Sequence, residues 1–282
     1  MAYAFIFIPM IYIFIVLLAP IAYNVWISFH SWSLVSGTGP RFIGFSNYVT
    51  AFTESRYSDS LVRTLVFVLI TVTIEVVGGT ALALFMHLRY PTAQVLRVIL
   101  ILPFLVSETV VGNMWRLMFD YDGGLINGTL AYLGIQGPLW LGPDLAFSSV
   151  IVADVWHQLP FVFLVMFAAL QSVPPELSEA AAVDGAHGWR VFWNVTLPIV
   201  QPSMLLVLLF QTLYSLRHFS IVWILTEGGP ANATRIIGVD VQLTTLQNYN
   251  IGMAATLSCL LLIFSLVIAV LYVRWLRRDP LS

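Results

Sequence analysis

Two sets of polar side chains interrupt otherwise apolar stretches of this 282-residue chain. Gln211, Tyr214, Ser215 and His218 fall at i, i+3, i+4 and i+7, and Asp154, His157, Gln158 and Phe161 repeat the same intervals. In a helix, that spacing puts each set on one face. Carboxylate, amide, hydroxyl and imidazole groups beside aromatic rings suit a hydroxyl-rich ligand, which needs donors, acceptors and a flat apolar surface. The same groups also serve to join helices by hydrogen bonds inside a bilayer, and residue type alone does not choose between the two uses. Arg217 is offset by about 100° from its neighbour His218 on a helix, which turns it partly off the polar face and toward a neighbouring span or a second chain. Glu75 and Glu108 are further acids within apolar runs. Glu75 reads as a packing brace, and Glu108 fits either use.

Several familiar chemistries are excluded. All 12 basic residues are Arg, so the chain lacks the Lys that a phosphate-binding P-loop requires. Any ATP-driven step therefore needs its nucleotide site on another subunit. The single Cys259 excludes a disulfide within the chain and a multi-cysteine zinc site. The five histidines are dispersed, with no HExxH pair, and no GxSxG elbow occurs. No catalytic, cofactor-binding or metal-ligating residue is assigned, and an enzyme is not expected.

The elements that must position the polar sets are set by hydropathy. The chain is 59% hydrophobic and 9% charged, with mean hydropathy +0.90, whereas a soluble domain carries roughly 25% charged residues. Six apolar runs, about 2–29, 61–88, 95–119, 145–170, 202–225 and 253–276, are each long enough to cross a bilayer core of about 30 Å. Lipid offers no partner to backbone polar groups, so the runs read as helices. Pro103 and Pro160 fall inside spans and are expected to kink them. The expectation is an all-α polytopic membrane protein of one transmembrane domain, 1–282. The first run lacks a basic start and a cleavage-site pattern and is too long for a signal peptide core, so it reads as a retained span. Arg274, Arg277 and Arg278 place both termini in the cytoplasm by the positive-inside rule, and the same choice puts Arg89, Arg97 and Arg190 inside.

Between the fourth and fifth runs lies a polar, Gly-punctuated segment, 176–198, ELSEAAAVDGAHGWRVFWNVTLP. Its Ala-rich stretch favours a short helix, with Glu176 and Glu179 near the N-terminus where the helix dipole welcomes acids. Pro174 and Pro175 close the preceding span, and Gly185 and Gly188 permit a sharp turn. An ordinary surface helix lying on a membrane favours Lys and Arg on its polar face. Here Glu176, Glu179 and Asp184 dominate, which suits a protein partner better than an anionic leaflet.

Glu179-Ala180-Ala181, then Gly185, then Leu197-Pro198 resembles the cytoplasmic coupling motif of ABC-transporter permeases of the sugar importer type. The family pattern is EAA, three residues, Gly, nine residues, Ile, one residue, Leu-Pro; Val195 stands in the Ile position. The resemblance extends through Phe42-Ile43-Gly44-Phe45 with Asn47-Tyr48, Gly123-Gly124-Leu125-Ile126-Asn127 with Trp140-Leu141, and Leu225-Thr226-Glu227-Gly228-Gly229-Pro230. Ser220 stands where many relatives carry Asp, and Glu227 where Gly is common.

The resemblance implies a type I ABC importer permease fold with six transmembrane helices and a cytoplasmic coupling helix. It implies that Glu179, Ala180, Ala181, Asp184, Gly185, Leu197 and Pro198 couple to an ATPase. In maltose-type relatives the sugar-contacting positions correspond to Asp154, Gln158, Phe161, Gln211, Tyr214, Ser215 and His218. The implied partners are a second homologous permease, two ATPase subunits that hold the ATP and Mg, and an extracytoplasmic sugar-binding protein. The implied setting is a bacterial or archaeal plasma membrane. Arg217 is a candidate for the contact between the two permeases. An ion- or proton-coupled secondary transporter is the alternative; such transporters commonly show internal repeats, and none is evident.

Overall fold

A computed structural model describes residues 7, 10–87 and 93–276. Arg89, Arg277 and Arg278 lie outside the described residues, so the orientation drawn from them rests on the sequence. The regular structure of the described chain is helical, apart from a two-stranded antiparallel pair, β1 (His30–Ser31) and β2 (Arg41–Phe42), and an isolated bridge between Ser33 and Asn250. The helices are α1 (Met10–Ser28), α2 (Ser46–Thr53), α3 (Ser55–His87), α4 (Ala93–Leu105), α5 (Glu108–Met118) and α6 (Leu125–Tyr132). They continue with α7 (Ala146–Gln171), α8 (Pro175–Val183), α9 (Trp189–Leu216), α10 (Ser220–Thr226), α11 (Ile237–Leu246) and α12 (Ile251–Leu276).

Five of these helices, α1, α3, α7, α9 and α12, are long and apolar enough to cross a membrane, and α4 and α5 form an apolar pair bent by 100° that makes six if it counts as one broken span. The run 95–119 thus differs from the single kinked helix expected. Pro103 has no N–H to give to a preceding carbonyl, and the chain leaves the helix at Val106 and Ser107. Ser107 is extended (φ −66°, ψ 144°), and its hydroxyl accepts from Val110 N at 3.4 Å, capping α5. Glu108 then sits in the first turn, where the helix dipole favours an acid. Pro160, by contrast, lies within an unbroken α7.

The fifth span begins and ends earlier than hydropathy suggested. Its helix starts at Trp189 and stops at Leu216, and 220–226 is the separate short α10. Pro198 cannot donate to the carbonyl four residues back, and the turn before it, Phe192–Thr196, is π-helical, with Leu197 N–H on Phe192 O.

The chain divides into two compact units, Met1–Thr64 with Arg235–Leu266, and Leu65–Thr234 with Val267–Ser282. In the first, Ala51, Tyr57, Leu61, Ile237, Met253, Leu257 and Leu260 form a core. Asn47 Nδ2 donates to Ser28 O and His30 O, both at 3.0 Å, giving Asn47 of the first loop motif a definite task. Asp240, fully buried, lies 2.6 Å from Arg235 Nε and 3.5 Å from Arg56 Nε.

In the second unit, Val68, Val72, Val76, Val162, Phe163, Met166 and Val207 pack α3, α7 and α9 together. Gly79 makes this approach possible: a Cβ there would lie 2.7 Å from Val162 Cβ. Gly112 serves α5 against α10 in the same way, at 2.9 Å from Ile224 Cβ. The second loop motif also has a physical basis. Asn127 Nδ2 donates to Tyr121 O and Pro138 O while its Oδ1 accepts from Trp140 Nε1 at 2.8 Å, so one amide closes the loop between α5 and α7.

Candidate functional site

The exposed segment and the intramembrane polar cluster both belong to the second unit, and the backbone shapes each. In the segment, α8 starts at Pro175, with Pro174 as an extended cap, and buries no residue. Its C-terminus is a Schellman turn: Ala186 N–H bonds Ala181 O at 2.9 Å and Gly185 N–H bonds Ala182 O at 3.1 Å. Asp184 is the cap, and Gly185 takes φ +79°, the left-handed conformation that L side chains resist. The spacing from Ala181 to Gly185 is therefore that of a helix stop. A Cβ on Gly185 would meet nothing within 4 Å, so backbone conformation alone asks for glycine. Glu176, Glu179, Ala180 and Asp184 face outward and Ala181 is half-buried. Leu197 and Pro198 lie inside α9, in its first α-helical turn after the π turn, so the motif reaches from the exposed helix into the span.

The polar cluster is assembled from α3, α5, α7, α9 and the break after α9. Asp154, His157, Gln158, Gln211, Ser215 and His218 are all buried. Gln211 Nε2 donates to Glu75 Oε2 at 2.8 Å, Thr71 Oγ1 donates to Ser215 Oγ at 3.4 Å, and Tyr214 OH donates to Glu108 Oε1 at 2.7 Å. Asp154 Oδ1 lies 3.4 Å from His218 Nε2, and the His218 ring stacks on Phe67 with centroids 5.7 Å apart. Gln158 Nε2 contacts His157 Nδ1 at 3.0 Å, and His157 Nε2 reaches Val106 O at 3.0 Å, supporting the backbone where the third span breaks.

A cavity of about 240 Å³ opens beside these groups, lined by Glu108, Tyr214, Arg217, His218, Phe219 and Ser220. Of the seven residues placed on the substrate path by resemblance, only Tyr214 and His218 line it. Asp154 sits behind His218, Gln211 and Ser215 face α3, and Phe161 packs on Phe104 with centroids 5.5 Å apart. His218 is not on a continuous face with Gln211, because α9 ends at Leu216 and His218 lies beyond it, its N–H on Ser215 O at 3.2 Å. Arg217 is exposed toward the cavity, with Nε donating to Leu213 O at 3.1 Å. Sequence reasoning left Glu108 undecided, noted Ser220 only as a departure from the family pattern, and passed over Phe67, Thr71 and Phe219. The available signal was the Pro103–Ser107 pair ahead of Glu108, which reads as a helix stop followed by a cap.

The sequence matches a family described as the binding-protein-dependent transport system inner membrane component, over residues 48–278. It is 35% identical over 269 residues to the trehalose/maltose transport system permease protein MalF of Thermococcus litoralis, covering 95% of this chain and 90% of that one. It is 31% identical to the sulfoquinovosyl glycerol transport system permease protein SmoG of Agrobacterium fabrum, covering 94% and 86% of the two chains. The fold superposes on a crystallised bacterial alginate ABC transporter, bound to an alginate pentasaccharide-loaded periplasmic protein, with TM-score 0.85 at 22% identity, covering 100% of this chain and 95% of that one. The chain therefore belongs to the binding-protein-dependent transport system inner membrane components, the permease subunits of ABC importers.

Proposed function

We propose that this permease imports a sugar, of di- or oligosaccharide size, by alternating access driven by a separate ATPase. The carrying observation is the exposed, acidic, Schellman-capped α8, set on a span helix whose other end meets the polar cavity. The fit of the sugar reading comes from relatives named for trehalose, maltose and sulfoquinovosyl glycerol, and from a cavity offering carboxylate, hydroxyl, imidazole and guanidinium groups beside Phe219. Membership of this family sets aside an ion- or proton-coupled secondary transporter.

In this reading the complete assembly has a second homologous permease, two ATPase subunits and an extracytoplasmic sugar-binding protein. It sits in a bacterial or archaeal plasma membrane with both termini cytoplasmic. The chain binds no cofactor and catalyses no reaction itself; ATP and Mg are held by the ATPases. Glu179, Ala180, Ala181, Asp184 and Gly185 form the docking knob, and Leu197 and Pro198 carry its movement into α9. Tyr214 and His218 touch sugar, while Asp154, Gln158, Phe161, Gln211 and Ser215 hold the lining in shape. Arg217, which lines the same cavity with its Nε on Leu213 O, reaches across it toward the second permease.

The test is uptake by proteoliposomes holding the assembled transporter, with binding protein outside and ATP inside. Labelled maltose, trehalose and a longer oligosaccharide are compared with an amino acid. Saturable, ATP-dependent uptake of one saccharide supports the proposal; uptake of the amino acid alone would contradict the sugar reading.

A further inference from the structure

Asp154 is fully buried in α7, and neither of its carboxyl oxygens accepts a hydrogen bond among the described residues. The one ionisable base at contact distance among those residues is His218, whose Nε2 lies 3.4 Å from Asp154 Oδ1. That nitrogen is buried and has no hydrogen-bond partner either. The other imidazole of the cluster is committed elsewhere. His157 Nε2 reaches Val106 O, which can only accept, so Nε2 bears the hydrogen. Its Nδ1 takes the amide N–H of Gln158.

A buried carboxylate without a donor is heavily penalised, and nearby acids add to the cost. Glu75 of α3, itself fully buried, and Glu108 of α5 are both within electrostatic reach of Asp154. One proton held between Asp154 Oδ1 and His218 Nε2 removes the net charge. It has two possible seats. On the carboxyl group, it is donated to a bare Nε2; on the ring, it makes an imidazolium facing a carboxylate. A neutral imidazole with a bare Nε2 carries its hydrogen on Nδ1, and an imidazolium carries one on both nitrogens. Either way, Nδ1 bears a hydrogen. The ring packs against Phe67 and Tyr214, with centroids 5.7 and 5.5 Å away, and forms part of the cavity wall.

We infer that Asp154 is a positioning residue that acts through His218: it keeps a hydrogen on Nδ1, and that N–H is offered to a hydroxyl oxygen of the saccharide. The same wall carries Glu108, whose Oε1 already accepts from Tyr214 OH at 2.7 Å and whose carboxylate can accept again. A donor at His218 and an acceptor at Glu108 match a sugar hydroxyl, which accepts and donates at once. Without Asp154, a neutral His218 is free to move its hydrogen to Nε2, and the wall then presents two acceptors. The use of Nδ1 by the ligand rests on the sugar site proposed above; the hydrogen on Nδ1 does not.

The assembled transporter, with nitrogen-15 histidine in this chain alone, would be studied by NMR in nanodiscs near neutral pH. Nitrogen shifts separate a ring nitrogen that bears hydrogen from one that does not. His218→Gln identifies the His218 signals among the five histidines; if it does not assemble, substituting the other four in turn identifies them by elimination. Nδ1 of His218 is expected to bear hydrogen in the parent chain, and in Asp154→Leu to become a mixture in which a large share lacks it. A bare Nδ1 in the parent would overturn the inference, and that spectrum alone decides if Asp154→Leu does not assemble. Identical His218 signals in the parent and Asp154→Leu would equally overturn it. Added maltose or trehalose is expected to shift the parent's Nδ1 signal. A hydrogen-bearing Nδ1 that depends on Asp154 but ignores both sugars would uphold the pairing and overturn its use by the sugar.

Discussion

The coupling helix and the intramembrane polar cluster satisfy their polar groups in opposite ways. On α8 the carboxylates of Glu176 and Glu179 face outward, no residue is buried, and the helix is shaped by its own backbone through the Pro174 start and the Gly185 stop. In the cluster, Glu75, Asp154, Gln211 and His218 are buried and contact side chains of separate helices, while Glu75 Oε1 and both Asp154 oxygens accept no hydrogen bond among the described residues. A group left open on a rigid, self-capped helix is available to a partner. A buried group already paired is committed to the fold. Substitutions in the first region should therefore affect assembly and coupling without affecting folding, whereas those in the second should mix the two unless they touch the cavity wall.

The largest separation is expected from Glu179→Lys. Charge reversal on an exposed helix leaves the permease fold intact but opposes docking, so ATPase co-purification should weaken about tenfold or more and uptake should fall to background. Normal co-purification together with normal uptake would erase the distinction between the two regions. Gly79→Leu is the reverse case. It forces a side chain against Val162, where even a Cβ finds 2.7 Å. Overpacking should cost about 1–3 kcal/mol, read as a lower unfolding midpoint in detergent with little permease left to assay for coupling.

Gly185→Ala sharpens the contrast within α8. There is room for the methyl group, so the penalty is conformational, about 1–2 kcal/mol for a left-handed L residue. Uptake per ATP hydrolysed should fall, with a smaller drop in the unfolding midpoint than for Gly79→Leu, because the strained turn is exposed and unwinds locally. The smallest effect separates two neighbours in the cluster. Tyr214→Phe removes one hydrogen bond at the cavity wall, worth about 0.5–1.5 kcal/mol, so the half-saturating sugar concentration should rise a few-fold with assembly unchanged. Gln158→Ala, buried against His157, should instead lower the yield of assembled transporter; a pure affinity change there would move Gln158 onto the sugar path.

Much of this was legible in the sequence, and the pattern of success is physical. The spans follow from apolar length because lipid demands helices. The spacing of the 176–198 motif encodes a backbone event: the Ala181–Gly185 interval is a Schellman turn whose left-handed stop asks for glycine. The cluster's residue types were legible, but its geometry was not. Periodicity assumes that a helix continues, and α9 stops at Leu216, taking His218 off the face that Gln211 occupies. The 100° bend between α4 and α5 likewise brings Glu108 to Tyr214, a pairing between residues 106 apart that no local pattern encodes. Hydropathy merges α10 with the end of α9 into one apolar run because Ile221, Val222 and Leu225 are buried against other helices and so are as apolar as lipid-facing residues.

In the proposed mechanism, α8 is the contact through which an ATPase drives this permease. A photo-reactive benzophenone side chain installed at Ala180, which is exposed on α8, would be irradiated in the assembled transporter within nanodiscs and the adducts identified by mass spectrometry. Crosslinks to peptides of the ATPase are expected, sensitive to whether nucleotide is bound. Adducts only to lipid, or to the extracytoplasmic binding protein, would contradict it.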